Sequence, residues 1–145
     1  MKKLLLSLSM IVLLTSASMA ATQNIAVVDV PAVVAKSAQV AALKKEQQTK
    51  IQDLEKWLNA AQADVQKQQT KEGQEKLLKK YNADFAKKKE AIAKDYQTKL
   101  TAVDKSITET ITTKAKALGY DMVISKSMVI MGGDDITAEI QKVVK

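Results

Sequence analysis

Val65-Gln66-Lys67-Gln68-Gln69-Thr70-Lys71-Glu72-Gly73-Gln74-Glu75-Lys76-Leu77-Leu78 sits near the middle of a longer run, Ala32 to Leu118, that contains no proline and a single glycine, Gly73. Proline ends helices, and glycine weakens or caps them. The run therefore reads either as one long helix or as two helices folded back at Gly73, and the apolar residues on each side decide between them. Before the glycine, Ile51, Leu54, Leu58, Ala61 and Val65 recur every three or four residues as an a/d stripe. After it, Leu78, Tyr81, Phe85, Ile92, Tyr96, Leu100, Val103, Ile107 and Ile111 form a second stripe. In an antiparallel pair, facing residues have numbers with a constant sum. Val40 with Val103, Leu43 with Leu100, Ile51 with Ile92, Leu58 with Phe85 and Val65 with Leu78 all add to 143. The stretch thus predicts a coiled-coil helical hairpin over residues 37–118, a long arm with its turn near 70–73.

Outward from the arm, the two ends carry strand signals. Ile25-Ala26-Val27-Val28-Asp29-Val30 is a short, almost continuous apolar run rich in β-branched residues, the pattern of a buried strand. Pro31 follows, where a first helical turn begins, and Ser37 opens the arm. Gly119 closes the second helix. Asp121-Met122-Val123-Ile124 and Met128-Val129-Ile130-Met131 then read as two short strands, with Ser125-Lys126-Ser127 as their turn. Asp134 or Asp135 caps a terminal helix that carries Ile136, Ile140 and Val143 on one face. Residues 21–36 and 119–145 therefore make up a small β-containing body, and they meet only if the arm folds back. So short a body buries too little surface to stand well alone. Self-association through Ile25, Val27, Val28, Val30, Met122, Val123, Ile124, Met128, Val129 and Ile130 is the expected remedy.

Residues 1–20 read as a cleavable secretory signal: Lys2 and Lys3, an apolar stretch from Leu4 to Leu14, then Ser18-Met19-Ala20 with small residues where a signal peptidase needs them. No cysteine follows, so neither a lipid-bearing cysteine nor a disulfide framework is expected. From Ala21 on, 21 lysines face 16 acids, a net charge of +5, and there is no arginine. Residues 67–99 hold ten of the lysines and five acids, so the whole excess lies in the outer half of the arm. Lysine is a hydrated, mobile point charge, whereas arginine reads phosphate and carboxylate in a fixed fork. Lys67, Lys71, Lys76, Lys79, Lys80, Lys87, Lys88, Lys89, Lys94 and Lys99 are therefore candidates for diffuse attraction of an anionic partner; the alternative is a merely solvated face.

Histidine and cysteine are both absent, which removes the commonest metal ligands, thiol nucleophiles and any serine–histidine base. Gly132-Gly133 lacks the spacing and lysine of a phosphate loop. Neither an enzyme nor a cofactor is expected, and no basic–aromatic groove points to nucleic acid. Of the aromatics, Tyr81, Phe85 and Tyr96 fall on the apolar stripe and read as packing. Trp57 falls off it, and either shields the seam from the side or faces a space between neighbouring arms.

The signal segment, Ile25-Ala26-Val27-Val28-Asp29, Ser37 before a charged helical hairpin, Gly119-Tyr120-Asp121-Met122-Val123-Ile124 and the late Asp135-Ile136-Thr137 together resemble the Skp/OmpH family of periplasmic chaperones. The resemblance implies a homotrimer with a small β-barrel-like body and hairpin tentacles around a cavity. It also implies an ATP-independent holdase that encloses unfolded outer-membrane β-barrel proteins and keeps them from aggregating. Members of the family have been associated with lipopolysaccharide through an arginine-containing basic patch. This chain has Lys87-Lys88-Lys89 but no arginine, so that site is not carried over. The competing expectation is an envelope-surface module that binds anionic lipid or polysaccharide, including lipopolysaccharide, through its lysine-rich tips.

Overall fold

The computed structural model describes residues 23–145. The signal segment expected over residues 1–20 lies outside the described residues. The chain is mostly helical, with two long helices and a small three-stranded sheet. In order, the elements are β1 (Ile25–Val28), α1 (Val30–Lys36), α2 (Ala38–Gln66), α3 (Lys71–Ala117), β2 (Met122–Ser125), a single 3-10 turn (Lys126–Met128), β3 (Asp134–Asp135) and α4 (Thr137–Gln141).

Local chemistry sets most of these boundaries. The Asp29 carboxylate accepts the Ala32 N–H at 3.0 Å and starts α1, with Pro31 in its first turn, where no backbone donor is needed. Val30 is therefore helical and does not extend the strand. Ser37 ends α1 and caps α2, its hydroxyl accepting the Val40 N–H at 3.3 Å. Helix α3 ends in a Schellman turn: Gly119 adopts φ +87°, its N–H meets the Lys116 carbonyl, and the Tyr120 N–H reaches back to Ala115. Over 29 and 47 residues the two long helices reach about 43 and 70 Å.

The break between α2 and α3 falls at residues 67–70, earlier than expected, and Gly73 is not its pivot. Thr70 caps α3, with its hydroxyl accepting the Gly73 N–H at 3.1 Å, and Gly73 is the third residue of the helix. A Cβ there would lie 2.8 Å from the Thr70 hydroxyl, so the glycine admits the cap and does not turn the chain. Contacts between the helices then proceed in order. Asp64 meets Tyr81, Lys50 meets Asp95 and Glu46 meets Lys99, so partner numbers rise in α3 as they fall in α2.

All three strands are parallel, in the order β2-β1-β3, with Ile25 opposite Met122 and Val27 opposite Ile124 and Asp135. Parallel neighbours cannot be joined by a tight turn. Both long helices lie in the connection from β1 to β2. Because side chains alternate along a strand, Ala26, Val28 and Val123 share one face of the sheet. That face packs on α1, the root of α3 and α4 through Val33, Ile107, Ile111, Ala115, Ile136 and Ile140. Ile25, Val27, Met122 and Ile124 share the other face. The Met128–Met131 strand expected from the sequence does not form. Ile130 is fully exposed, Met128 and Met131 are nearly so, and the third strand is instead Asp134–Asp135. Gly133 makes that possible: at φ +81° a Cβ would come within 2.5 Å of a Val27 methyl, so only glycine lets β3 approach β1. Val143, expected on the buried face of the terminal helix, is exposed, and Val144 packs on the core in its place. In the single chain the sheet is open and not a closed barrel.

Candidate functional site

The charge-bearing surface is built on α2 and α3, and its residues fall into two groups. Toward the root, Glu46 and Lys50 of α2 meet Asp95 and Lys99 of α3. Lys50 bridges Glu46 at 2.7 Å and Asp95 at 2.5 Å, while Lys99 contacts Glu46 and lies 3.3 Å from Asp95. Each acid thus stands one helical turn before a lysine on its own helix and across from a lysine on the other. Hydrogen bonds from the Lys50 ammonium hold the Glu46 and Asp95 carboxyls below their ordinary range. Lys50 and Lys99 are held above theirs, chiefly by Asp95 and Glu46 respectively. Lys99, counted in the sequence among the diffuse attractors, is therefore committed within the chain. The sequence reading missed this cluster because a charged helix face looks solvated in isolation. The signal was available, since 50 with 95 and 46 with 99 share the sum 145 and each helix carries an acid–lysine pair at i,i+4.

Farther out, the contacts are aromatic. Trp57 packs edge-on against Tyr81, with centroids 5.7 Å apart at 84°. The Tyr81 hydroxyl donates to Asp64 at 2.9 Å, which pushes its pKa up. The Lys88 ammonium lies 5.2 Å from the centre of the Trp57 ring, and that of Lys89 lies 5.6 Å from Phe85, both within cation–π range. Lys50 with Asp95, Trp57 with Lys88 and Asp64 with Tyr81 recur every seven residues, and each adds to 145. The contact face is turned relative to the stripe read from sequence. Ile51 and Leu58, expected in the seam, are 45% and 39% exposed, while Trp57, expected beside it, is half-buried on it. A 3.6-residue helix drifts against a seven-residue pattern, so over this length the wide Trp57 ring and the Lys50 stem take the inner positions.

Beside Trp57 runs a groove of about 450 Å³ with Leu54, Ala91 and Ile92 as its floor. The remaining candidate lysines are exposed. Lys67 lies 4.0 Å from Asp64. Among the described residues Lys71, Lys76, Lys79, Lys80, Lys87, Lys88, Lys89 and Lys94 have no acid within ion-pair distance.

The residues expected to form an oligomer divide between two roles. Val28, Val30 and Val123 serve the chain's own core, whereas Ile25, Val27, Met122 and Ile124 lie on the opposite face with exposed Met128 and Ile130 nearby in sequence; Val129 is half-buried. Among the described residues no cluster of potential ligands could hold a metal ion, and no helix is long and apolar enough to cross a membrane.

Among the described residues, two long helices carry an open, charged surface. The chain belongs to the OmpH-like outer membrane protein family, whose model matches residues 24–144, nearly everything described. That membership implies a chaperone-type function toward outer-membrane proteins, not an enzymatic one, and places the protein with a periplasmic family. No curated protein matches the chain.

Proposed function

We propose that this protein is an ATP-independent periplasmic holdase: a homotrimer whose antiparallel hairpin arms enclose unfolded outer-membrane β-barrel proteins and keep them from aggregating. The observation that carries the reading is the outer arm, where lysines without acidic partners stand beside an aromatic-walled apolar groove on an extended, open surface. Unfolded barrel chains expose apolar strands and unpaired edges and aggregate through them. Long-range attraction raises the rate of encounter, and many weak contacts together hold what none holds alone. Because each contact is weak, the bound chain leaves when a better partner competes, without nucleotide.

Exposed Met122, Met128 and Ile130, beside the half-buried Ile25 and Ile124, support self-association, since they leave apolar surface in water that another copy would bury; Val27, on the same sheet face, is already buried within the chain. Dilution of an unfolded barrel protein from urea tests the function. Light scattering should fall to background at stoichiometric trimer, and native mass measurement should find three copies with one bound chain. Undiminished aggregation, with binding only to anionic vesicles, would replace this reading with that of a surface module.

A further inference from the structure

The groove beside Trp57 has a definite chemical character. Its floor is Leu54, Ala91 and Ile92, and its wall is one side of the Trp57 ring. The ring is not free to swing away, because the Tyr81 edge and the Lys88 ammonium hold it. Lys50 and Asp95 close one end and satisfy each other. Asp53, paired with Lys56 at 3.5 Å, and Lys88 complete the lining; Lys87 and Lys89 adjoin Lys88 in sequence, and none of these three lysines has an acid at ion-pair distance among the described residues. At about 450 Å³ the groove lies at the small end of ligand sites and is too shallow for a folded segment, but it admits one large flat side chain. A second copy's arm is a poor occupant. Its outer half would bring the same ten lysines against five acids to a surface already short of anions, and like charges brought together repel.

We propose that this groove seats single aromatic side chains of a bound unfolded polypeptide, selected where acidic residues flank the aromatic. The ring lies against Trp57 over the Leu54–Ile92 floor, and the flanking carboxylates meet Lys87, Lys88 and Lys89. This rests on the holdase reading and narrows it, because it names the segments a client is held by. Strands of outer-membrane barrels carry aromatic girdles at both membrane interfaces, so such a client offers suitable side chains repeatedly along its length.

Trp57 is the only tryptophan in the chain, so its emission reports on the groove in the intact protein. The probe is a short unstructured peptide with one phenylalanine flanked by aspartates. It should change Trp57 emission saturably, and the same peptide with serine for phenylalanine should bind about tenfold or more weakly, the loss of one buried aromatic. Ala91 is exposed on α3, and Ala91→Leu fills the floor with a good helix former; it should abolish the emission change while leaving helicity intact. Equal binding of the serine peptide, unaltered binding by Ala91→Leu, or an emission change with phosphatidylglycerol vesicles and not with the peptide would each overturn the proposal. Aggregation of an unfolded barrel protein is followed in parallel. Suppressed aggregation with a silent Trp57 removes the groove and leaves the holdase standing. A peptide-specific signal without suppression keeps the groove and removes the holdase.

Discussion

Ser37→Ala tests how the arm is fastened to the body. Ser37 is 1% exposed and sits at the joint between α1 and α2 with extended dihedral angles. Its hydroxyl accepts the Val40 N–H at 3.3 Å and donates to the Lys145 main-chain oxygen at 2.5 Å, which also accepts the Gln39 N–H at 3.3 Å. One side chain thus caps the long helix and ties down the C-terminal residues. Loss of a serine cap costs about 1 kcal/mol, and loss of a donor to the part-buried Lys145 oxygen costs about another 1 kcal/mol. About 2 kcal/mol together is about a thirtyfold increase in local opening. Amide exchange reads it directly. The Gln39 and Val40 amides should exchange about thirtyfold faster in Ser37→Ala, and protection of Val144 should fall with them. Ser37→Asp should not rescue the joint, because it buries an unpaired carboxylate against the Lys145 oxygen at a position only 1% exposed. Exchange at Gln39 and Val40 within twofold of the parent in Ser37→Ala would refute the reasoning.

Val28→Asp should unfold the body, because an unpaired charge at a fully buried position costs several kcal/mol; Ile130→Asp, on an exposed residue, should leave the chain folded in circular dichroism and weaken only its self-association by sedimentation. Gly133→Ala should lower the urea midpoint, with a cost of about 1–3 kcal/mol for the strained φ and further loss from the methyl clash with Val27, while Gly119→Ala, which meets nothing within 4 Å, should cost only the strain. The Glu46–Lys50–Asp95–Lys99 cluster should be indifferent to pH across the neutral range. Its carboxyls lie below their ordinary 4.5 and 3.8, so their contribution is full above those values and fades as pH falls through the lowered ones; its lysines lie above 10.5 and contribute until pH rises past that. Thermal melts should therefore be level from about pH 5 to about pH 10 for these groups, and an acid-side drop unchanged in Glu46→Gln/Asp95→Asn would place its origin elsewhere.

What could be read from sequence was what local chemistry determines. Ser37 and Gly119 act within a few residues of themselves, so their roles at the helix ends were visible in the chain alone, whereas Asp29 reads from sequence as strand and serves as the cap of α1. Ile25–Val28 and Met122–Ile124 were legible as strands because continuous β-branched and apolar runs of that length have few other uses. Met128–Met131 has the same composition and forms no strand even though the outer edge of β2 stays open; the edge of β1 is taken by Asp134–Asp135. Gly73 was read as a pivot on its backbone freedom alone; its actual use, admitting the Thr70 cap, depends on a neighbour three residues back. The ion cluster and the inward turn of Trp57 depend on how the helices are rotated about their axes, which the a/d stripe fixes only to within about one residue.

The parallel pairing of β1 with β2 has a consequence in time. Asn24 and Asp121, hydrogen-bonded at the start of the ladder, are 97 positions apart, and everything between them must exist and be folded before β1 gains a neighbour. Helices form within microseconds from local contacts, whereas pairings distant along the chain wait for the segments between them. Until α3 has returned alongside α2, Ile25-Ala26-Val27-Val28 is an apolar strand with both edges bare, the kind of segment that aggregates. The rate of docking between the two long helices thus sets how long this chain remains at risk. Weakening their contact at Trp57 or Lys50 should lengthen that interval even where the finished fold is little changed.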